Sequence, residues 1–471
     1  MNSPPEVPND EATLEYLSTE LKDKIISFID SPVDLLQLAL CSRLWCSLII
    51  PDHINYRIIH TRLDNPSLWK ELSERKALAN NVRVMRIAEE SGVVDTLHSS
   101  AMVQRPAISS EVDDIIVDVI RSLSLVKTFM WYHPSDARGY DNSSNVIEAL
   151  KYCYSLEHLA LASVPTSLDL SSSIWEIKNL TRLSLDGAVW IRLPEELESK
   201  FVSMLNGLKA LQQLCISCRA PRRVFAELDF PSLERIVISE VLRYASPGGH
   251  QMETDRAIVD FLQRHATITD LVWYPMDQRL EPPRGILPNL RKIESTHHIV
   301  TRLLDDPTLT GAQARKMQTI GQISLGHRTM QLLGRIINKE ALREIWTWRF
   351  ERLENLHRIA VLFPELETLA LEGFGISSGN MDDYTLDDYI ECLSKFRKLR
   401  TIKSSTFWSV VHAGVDRNPQ EAVNHLLRQC PALERIRVLT RHTFTRDVVF
   451  TRGPEGVANW KFSVTPRDWY D

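Results

Sequence analysis

A short pattern, apolar-x-x-apolar-x-apolar, recurs about twelve times in this chain, and most copies follow a segment with helical periodicity. The copies that begin at 211, 233, 268 and 290 are 22, 35 and 22 residues apart, so the period is irregular. The chain is therefore predicted to be a repeat protein. Its best copies span 156–161, 180–185, 211–216, 233–238, 268–273, 366–371 and 433–438, and weaker ones start at 82, 126, 290, 320, 342 and 399.

Each repeat is predicted to contain a helix, a short turn and a strand. The apolar-x-apolar end of the pattern has the period of a strand, and the preceding segment has the period of a helix. Thr254, Thr385 and Asn418-Pro419 are typical helix starts before three of the strands. Such a unit cannot bury its apolar face alone, so neighbours must stack. The predicted fold is a curved α/β solenoid with parallel strands on its concave face.

Composition supports a soluble chain with a large core. Of 471 residues, 44% are hydrophobic and 25% charged, which is typical of globular proteins. Residues 1–12 lack the basic and apolar regions of a signal peptide, and the most apolar run, 35–50, is interrupted by Gln37 and Arg43. Seven cysteines are an odd number for a disulfide framework. We therefore expect no membrane association and a cytoplasmic or nuclear location.

The N-terminal segment 14–50 has no copy of the repeat pattern and is predicted to form three short helices. Ser31-Pro32 begins the second helix, and the third ends before Pro51. Three helices in so short a segment have too small a core to be stable alone. They are expected to dock against a partner or a neighbouring domain through apolar residues such as Leu21, Ile25, Phe28, Ile29, Leu35, Leu36, Ala39, Leu40, Trp45 and Leu48.

This segment resembles an F-box, and the repeats that follow it resemble leucine-rich repeats. Ser18 replaces the usual proline of the F-box pattern, and Cys41 replaces a valine-like residue. The order of the two parts is that of the F-box/leucine-rich-repeat proteins. The positions that match the F-box pattern are Leu17, Glu20, Leu21, Ile25, Ile29, Asp34, Leu35, Leu36, Leu40, Ser42, Arg43 and Trp45.

The resemblance implies a substrate receptor of an SCF-type (Skp-cullin-F-box) ubiquitin ligase. The F-box would bind a Skp-type adaptor and through it a cullin, while the repeats would hold a protein substrate of unknown identity. One alternative is a three-helix cap on a repeat scaffold outside ubiquitin chemistry, and another is an enzyme built on a solenoid. The resemblance assigns adaptor binding to Leu17, Leu21, Ile25, Ile29, Leu35, Leu36, Leu40 and Trp45.

The chain is accordingly divided into five predicted parts. The last is expected to form two strands around 452–456 that cover the open end of the solenoid. The parts are a disordered tail (1–12), the F-box (13–51), a helical linker (52–81), the solenoid (82–440) and a C-terminal cap (441–471).

Motifs for catalysis, metals or nucleic acids are weak. Cys215 and Cys218 have metal-ligand spacing but lack a second pair, and the adjacent His297 and His298 would point to opposite faces of a strand. No glycine-rich phosphate loop is present, and the formal charge is -6. We expect no enzymatic activity, cofactor, metal or nucleic-acid ligand.

The strand register predicts where a protein substrate would bind. The two apolar residues at the end of each pattern point into the core, so the residue between them and those beside them face the concave side. A register shifted by one residue would instead bury Trp346 and Trp348. The predicted substrate-binding residues, of types enriched at interfaces, are Tyr132, Arg182, Arg235, Tyr274, Trp346, Trp348 and Arg435.

Overall fold

The computed structural model consists of two compact units, Met1–Ile177 (unit one) and Lys178–Asp471 (unit two). The predicted tail 1–12 lies outside the described residues. The structure describes residues 16–88, 110–132, 143–162, 168–187, 193–217, 222–239, 249–306, 308, 315–350, 352–371, 385–404, 407, 411, 419–438, 444–452 and 458–466.

Unit one begins with helices α1 (Thr19–Phe28), α2 (Pro32–Cys41) and α3 (Arg43–Ile49). A serine precedes each of them, and its hydroxyl accepts a hydrogen bond from a backbone N–H of the first turn, at 3.3 to 3.4 Å. Such caps satisfy N–H groups that a helix start leaves unpaired. The three helices pack around a small core of Ile26, Leu35, Ala39, Trp45 and Ile49.

The segment after these helices contains a strand that the sequence analysis does not predict. A π-helical turn (Ile50–Ile54) and α4 (Asn55–Arg57) lead into β1 (Ile58–Thr61). The sequence predicts a wholly helical linker over 52–81, whereas β1 pairs in parallel with the next strand. β-branched residues favour this extended conformation. Helices α5 (Pro66–Glu74) and α6 (Lys76–Asn81) complete the segment.

The rest of unit one alternates helices and parallel strands. Strands β1 to β4 pair in sequence order, so each new repeat adds one strand beside the last. A 3-10 turn (Ser173–Glu176) follows β4. In order, these elements are β2 (Val84–Ala88), α7 (Ser110–Ser122), β3 (Thr128–Tyr132), α8 (Ser143–Leu150) and β4 (His158–Ala162).

Unit two continues the same alternation. Strands β5 to β14 are parallel, and each pairs with the next in sequence. They are Arg182–Asp186, Gln213–Ser217, Arg235–Ser239, Asp270–Trp273, Lys292–Ser295, Thr319–Leu325, Glu344–Phe350, Thr368–Leu371, Thr401–Ser404 and Arg435–Val438. Helices α9 to α16 are Glu195–Gly207, Arg222–Glu227, Gly249–Arg264, His297–Leu304, His327–Gly334, Leu353–Leu362, Leu386–Leu393 and Pro419–Gln429.

The predicted α/β repeat fold with mostly parallel strands is confirmed. The leucine-type residues of the repeat pattern form its core: in β12, for example, Leu369 and Leu371 are fully buried. Unit two ends in an antiparallel hairpin of β15 (Phe444–Arg452) and β16 (Ala458–Pro466), and β15 also pairs with β14. Among the described helices, none has the length and apolar character needed to cross a bilayer.

A buried histidine in unit two predicts acid sensitivity. The Phe230 N–H donates to His265 Nε2 at 2.9 Å, so Nδ1 carries the proton and donates to the Phe261 carbonyl at 2.7 Å. Burial lowers the pKa of His265 below its ordinary value of 6.5, although the Phe261 carbonyl opposes this effect. The folded state therefore binds fewer protons than the unfolded state, and stability falls as the pH drops from 6.5 through the lowered pKa.

We expect His265→Gln to weaken this pH dependence, because glutamine is uncharged and can donate and accept hydrogen bonds. The difference in unfolding free energy between pH 7 and 5 should shrink by about 1.4 kcal/mol for each unit by which folding lowers the histidine pKa. Thermal melts across this pH range measure the effect. The exposed His357→Gln is the control, and an equal pH response in both variants would contradict the prediction.

Candidate docking surfaces

The three N-terminal helices carry large apolar side chains in solvent. On α2, Val33, Leu36 and Leu40 are 62%, 45% and 76% exposed, and their spacing places them on one helix face. On α1, Leu21 and Phe28 are 53% and 74% exposed and lie two turns apart. Leu44 of α3 is also exposed. We name these six residues the N-terminal apolar surface.

The structure separates the predicted adaptor-binding residues into three groups. Leu21, Leu36 and Leu40 belong to the N-terminal apolar surface, whereas Leu35 and Trp45 are 0% and 2% exposed and belong to the core beneath it. These two residues support the surface rather than form part of it. The remaining three, which are partly exposed, are Leu17, Ile25 and Ile29.

The F-box resemblance does not assign adaptor binding to Phe28, Val33 or Leu44. A helical signal was available for two of them, since Phe28 lies seven residues after Leu21 and Val33 lies three before Leu36. Such spacings place residues on the same helix face. Side chains buried beneath a surface and side chains on it share this periodicity, so the pattern alone does not separate them.

Two arginines fasten the end of α1 to the first strands of unit one. Arg57 donates to the carbonyl oxygens of Ile26 at 2.6 Å and Asn81 at 3.0 Å, and Arg83 donates to the carbonyl of Ser27 at 2.8 Å. These carbonyls lie at helix ends, where intrahelical partners are scarce, and that of Ile26 also accepts from the Ile29 N–H at 3.1 Å. Burial, with a contribution from nearby Arg83, lowers the pKa of Arg57 to about 10. The side chain therefore remains a cation at neutral pH.

Asp30, just after α1, completes this attachment. Its carboxylate lies 3.3 Å from Arg83 Nε and 2.6 Å from Lys127 Nζ. Arg57 and Arg83 each directly precede a strand, and the Arg83 N–H also donates to the Arg57 carbonyl. The N-terminal helices are thus joined to the strands of unit one through defined polar contacts, which the sequence pattern does not predict.

The second candidate surface is the face of the unit-two sheet that bears polar residues. The first residues of β5 to β14 lie side by side in register. We name this line row one; it contains Arg182, Gln213, Arg235, Asp270, Lys292, Thr319, Glu344, Thr368, Thr401 and Arg435.

Opposite charges pair along row one. Asp270 lies 3.8 Å from Arg235 and 3.7 Å from Lys292, on the two neighbouring strands. Burial raises the pKa of Asp270, while the two cations oppose this rise. Lys403 of β13 donates a hydrogen bond to Glu344 of row one at 2.7 Å, although β12 lies between their two strands. Much of the charge on this face is therefore neutralised within the sheet.

A glycine and a bulge shape the middle of this face. The register of β10 shifts between Ile320 and Ile323, where Gln322 has a φ of 58°. At Gly321, an added Cβ would lie 3.0 Å from Cγ of Glu294. The glycine therefore leaves room for the Glu294 side chain, whose carboxylate accepts a hydrogen bond from the Tyr274 hydroxyl.

Most predicted substrate-binding residues of unit two face this side of the sheet. Trp346 is partly exposed, and it alternates with the buried Ile345 and Thr347. Arg435, also partly exposed, lies 3.9 Å from Asp447 of the hairpin, and Arg182 is exposed. Arg235 lies beside Asp270, and the Tyr274 hydroxyl donates to Glu294. The side chain of Trp348 lies outside the described residues.

Tyr132 in unit one differs from its predicted exposure. It is 4% exposed, and its hydroxyl donates to the Met130 sulfur at 3.4 Å. A side chain this deeply covered has no surface for a substrate, so its assignment to an open binding face is wrong. The alternation of side chains along β3 predicts only on which face of the sheet Tyr132 lies. It does not predict whether other parts of the chain cover that face.

The other candidate chemical groups are dispersed. Burial raises the pKa of the Cys215 thiol to about 11, and Cys218 lies outside the described residues. Burial also lowers the pKa of His297 and of His298. Within the described part of the chain, no group of three or more histidine, cysteine, aspartate or glutamate residues is arranged to hold a metal ion.

Comparisons with known proteins show similarity to solved structures alone. No protein-family model and no curated protein sequence matches the chain. A similar solved structure is that of the Rad7 and Elc1 complex in yeast, with 12% sequence identity and a TM-score of 0.42. The match covers 89% of this chain and 90% of the other.

Proposed function

We propose that this chain is the substrate-recognition subunit of an SCF-type ubiquitin ligase. The N-terminal apolar surface would bind a Skp-type adaptor, which links the chain to a cullin. The supporting observation is that Leu21, Leu36 and Leu40, which match the F-box pattern, are exposed on packed and capped helices. Exposed apolar clusters of this kind mark interaction sites.

The apolar residues of α1 to α3 are divided between a buried core and an exposed surface. The core of α1 to α3 already contains Leu35 and Trp45, so the exposed leucines are not needed to fill it. Covering apolar area contributes about 25 cal/mol for each Å² removed from water. An adaptor that covers several of these side chains would therefore bind favourably.

In this proposal the chain is not an enzyme, and its repeats bind the protein substrate. Row one and the neighbouring Trp346 of unit two are the candidate substrate surface. Its locally paired charges favour a polypeptide of mixed charge over a highly charged ligand. The contacts of Arg57, Arg83 and Asp30 would hold the adaptor-binding helices in a fixed orientation relative to the strands of unit one. We expect the complex in the cytoplasm or the nucleus.

Native affinity purification of the full chain tests the proposal. A Skp-type adaptor and a cullin should both co-purify with it. Recovery of the chain without either protein, under conditions in which a known SCF receptor retains both, would favour the repeat-scaffold alternative.

A further inference from the structure

The helical layer of unit two contains an apolar groove between α13 and α14. The groove has a volume of about 510 Å³. Met330 and Gly334 line it from α13, and Val361 and Leu362 line it from α14. Val361 is 76% exposed, although valine is normally a core residue. The groove is therefore an apolar depression that faces solvent.

Gly334 keeps part of this depression open. It is the last residue of α13, and an added Cβ would have no heavy atom within 4 Å. The φ angle of Gly334 is not positive, so the backbone does not require glycine at this position. The side chain is small where the local packing would accept a larger one, and the unfilled space belongs to the groove.

The direction and spacing of the two helices suit a third helix. Because β10, β11 and β12 are parallel, α13 and α14 return the chain in the same direction. Met330 and Gly334 are four residues apart, and Arg358 and Leu362 likewise, so each pair lies along one ridge. The helices have 8 and 10 residues, or about 12 to 15 Å, which matches two to three turns of a partner.

The charges around the groove favour an acidic partner. Arg358 and Glu354 line it, and the exposed Arg328 and Arg352 lie in the first turn of α13 and at the start of α14. Arg358 and Glu354 balance within the lining, and the surplus of positive charge comes from Arg328 and Arg352 beside it. Neither helix start has a side-chain cap bond; the positive end of the α13 dipole adds to this potential, whereas Glu354 in the first turn of α14 offsets that of α14.

We propose that the α13–α14 groove docks an amphipathic helix with acidic flanks from a partner protein. The apolar face of that helix would cover Met330, Val361 and Leu362, and its carboxylates would approach Arg358 and the start of α13. This surface lies on the helical layer of unit two and takes no part in the proposed adaptor binding. The inference therefore stands whether or not the chain is an SCF receptor.

A matched pair of glycine substitutions tests it. Gly334→Trp fills the groove, whereas Gly207→Trp places the same side chain at the end of α9, where an added Cβ also has no atom within 4 Å. The probe is a labelled synthetic helix of about 15 residues, with leucines at i, i+3, i+4 and i+7 and glutamates beside them. A second probe has lysines in place of the glutamates. Fluorescence anisotropy with the full chain measures binding.

We expect the glutamate probe to bind the native chain and Gly207→Trp alike, and Gly334→Trp at least about ten-fold more weakly. The lysine probe should also bind at least about ten-fold more weakly. Arg358→Glu provides a second variant if Gly334→Trp does not fold, and should reverse the preference between the probes. Equal binding of the glutamate probe by Gly334→Trp, or equal binding of the two probes by the native chain, would overturn the proposal.

Discussion

Replacing Leu36 and Leu40 together by aspartate should abolish co-purification of the adaptor and the cullin while the chain remains folded. The two side chains are 45% and 76% exposed, so neither is needed to fill the core of the N-terminal helices. In a covered interface, however, each new carboxylate would lose water without gaining a partner. We expect adaptor affinity to fall by at least about 100-fold, which corresponds to about 2.7 kcal/mol.

The control carries the same change at exposed leucines outside these helices. Leu125 and Leu170 are 37% and 55% exposed, and their joint replacement by aspartate adds equal charge to unit one. This variant should retain the adaptor. Circular dichroism and thermal melting should show native-like folding for both variants. If the Leu36/Leu40 variant retained the adaptor normally, this face of α2 would not be part of the adaptor interface. The main support for the proposed function would then be lost.

The repeat fold could be predicted because its signal is local and occurs many times. The apolar-x-apolar ending, as in Leu183-Ser184-Leu185, is visible within one strand, and the same apolar spacing returns in most repeats. Errors in one copy do not alter the overall periodicity. The parallel order of the strands then follows, because a helix between successive strands returns the chain to the same edge.

The missing details depend on contacts between distant residues. β1 consists of four residues and has no complete copy of the repeat pattern, so its identity depends on pairing with β2. The bond from Arg57 to Ile26 joins residues 31 positions apart, and that from Lys403 to Glu344 joins residues 59 apart. A sequence pattern does not determine which charged side chains meet across such distances.

Burial in the N-terminal segment presents the same difficulty at short range. Leu35 and Leu36 are neighbours of the same residue type and both match the F-box pattern, yet one is fully buried and the other 45% exposed. The phase of α2 relative to α1 and α3 decides which of them faces the core. That phase follows from tertiary packing around Trp45. The adaptor-binding residues implied by the sequence therefore include both buried residues of the core and exposed residues of the surface.

Trp45→Ala should therefore lose adaptor binding for a different reason from the Leu36/Leu40 aspartate variant, because it removes a core residue rather than surface residues. Trp45 is 2% exposed and packs with Ile26, Leu35, Ala39 and Ile49. Truncating a buried tryptophan costs roughly 3 to 5 kcal/mol, and a core this small has few other contacts to offset the loss. We expect α1 to α3 to unfold locally, with loss of adaptor binding as a consequence.

Hydrogen exchange followed by mass spectrometry distinguishes the two failures. In Trp45→Ala, amides of 19–49 should exchange quickly while those of β5 to β14 keep their protection, because stability in repeat proteins comes mainly from neighbouring units. The Leu36/Leu40 aspartate variant should keep native protection throughout. Trp45→Phe, which retains much of the ring volume, should show an intermediate loss. If Trp45→Ala left exchange in 19–49 unchanged, the small core would not be what holds the docking leucines in place.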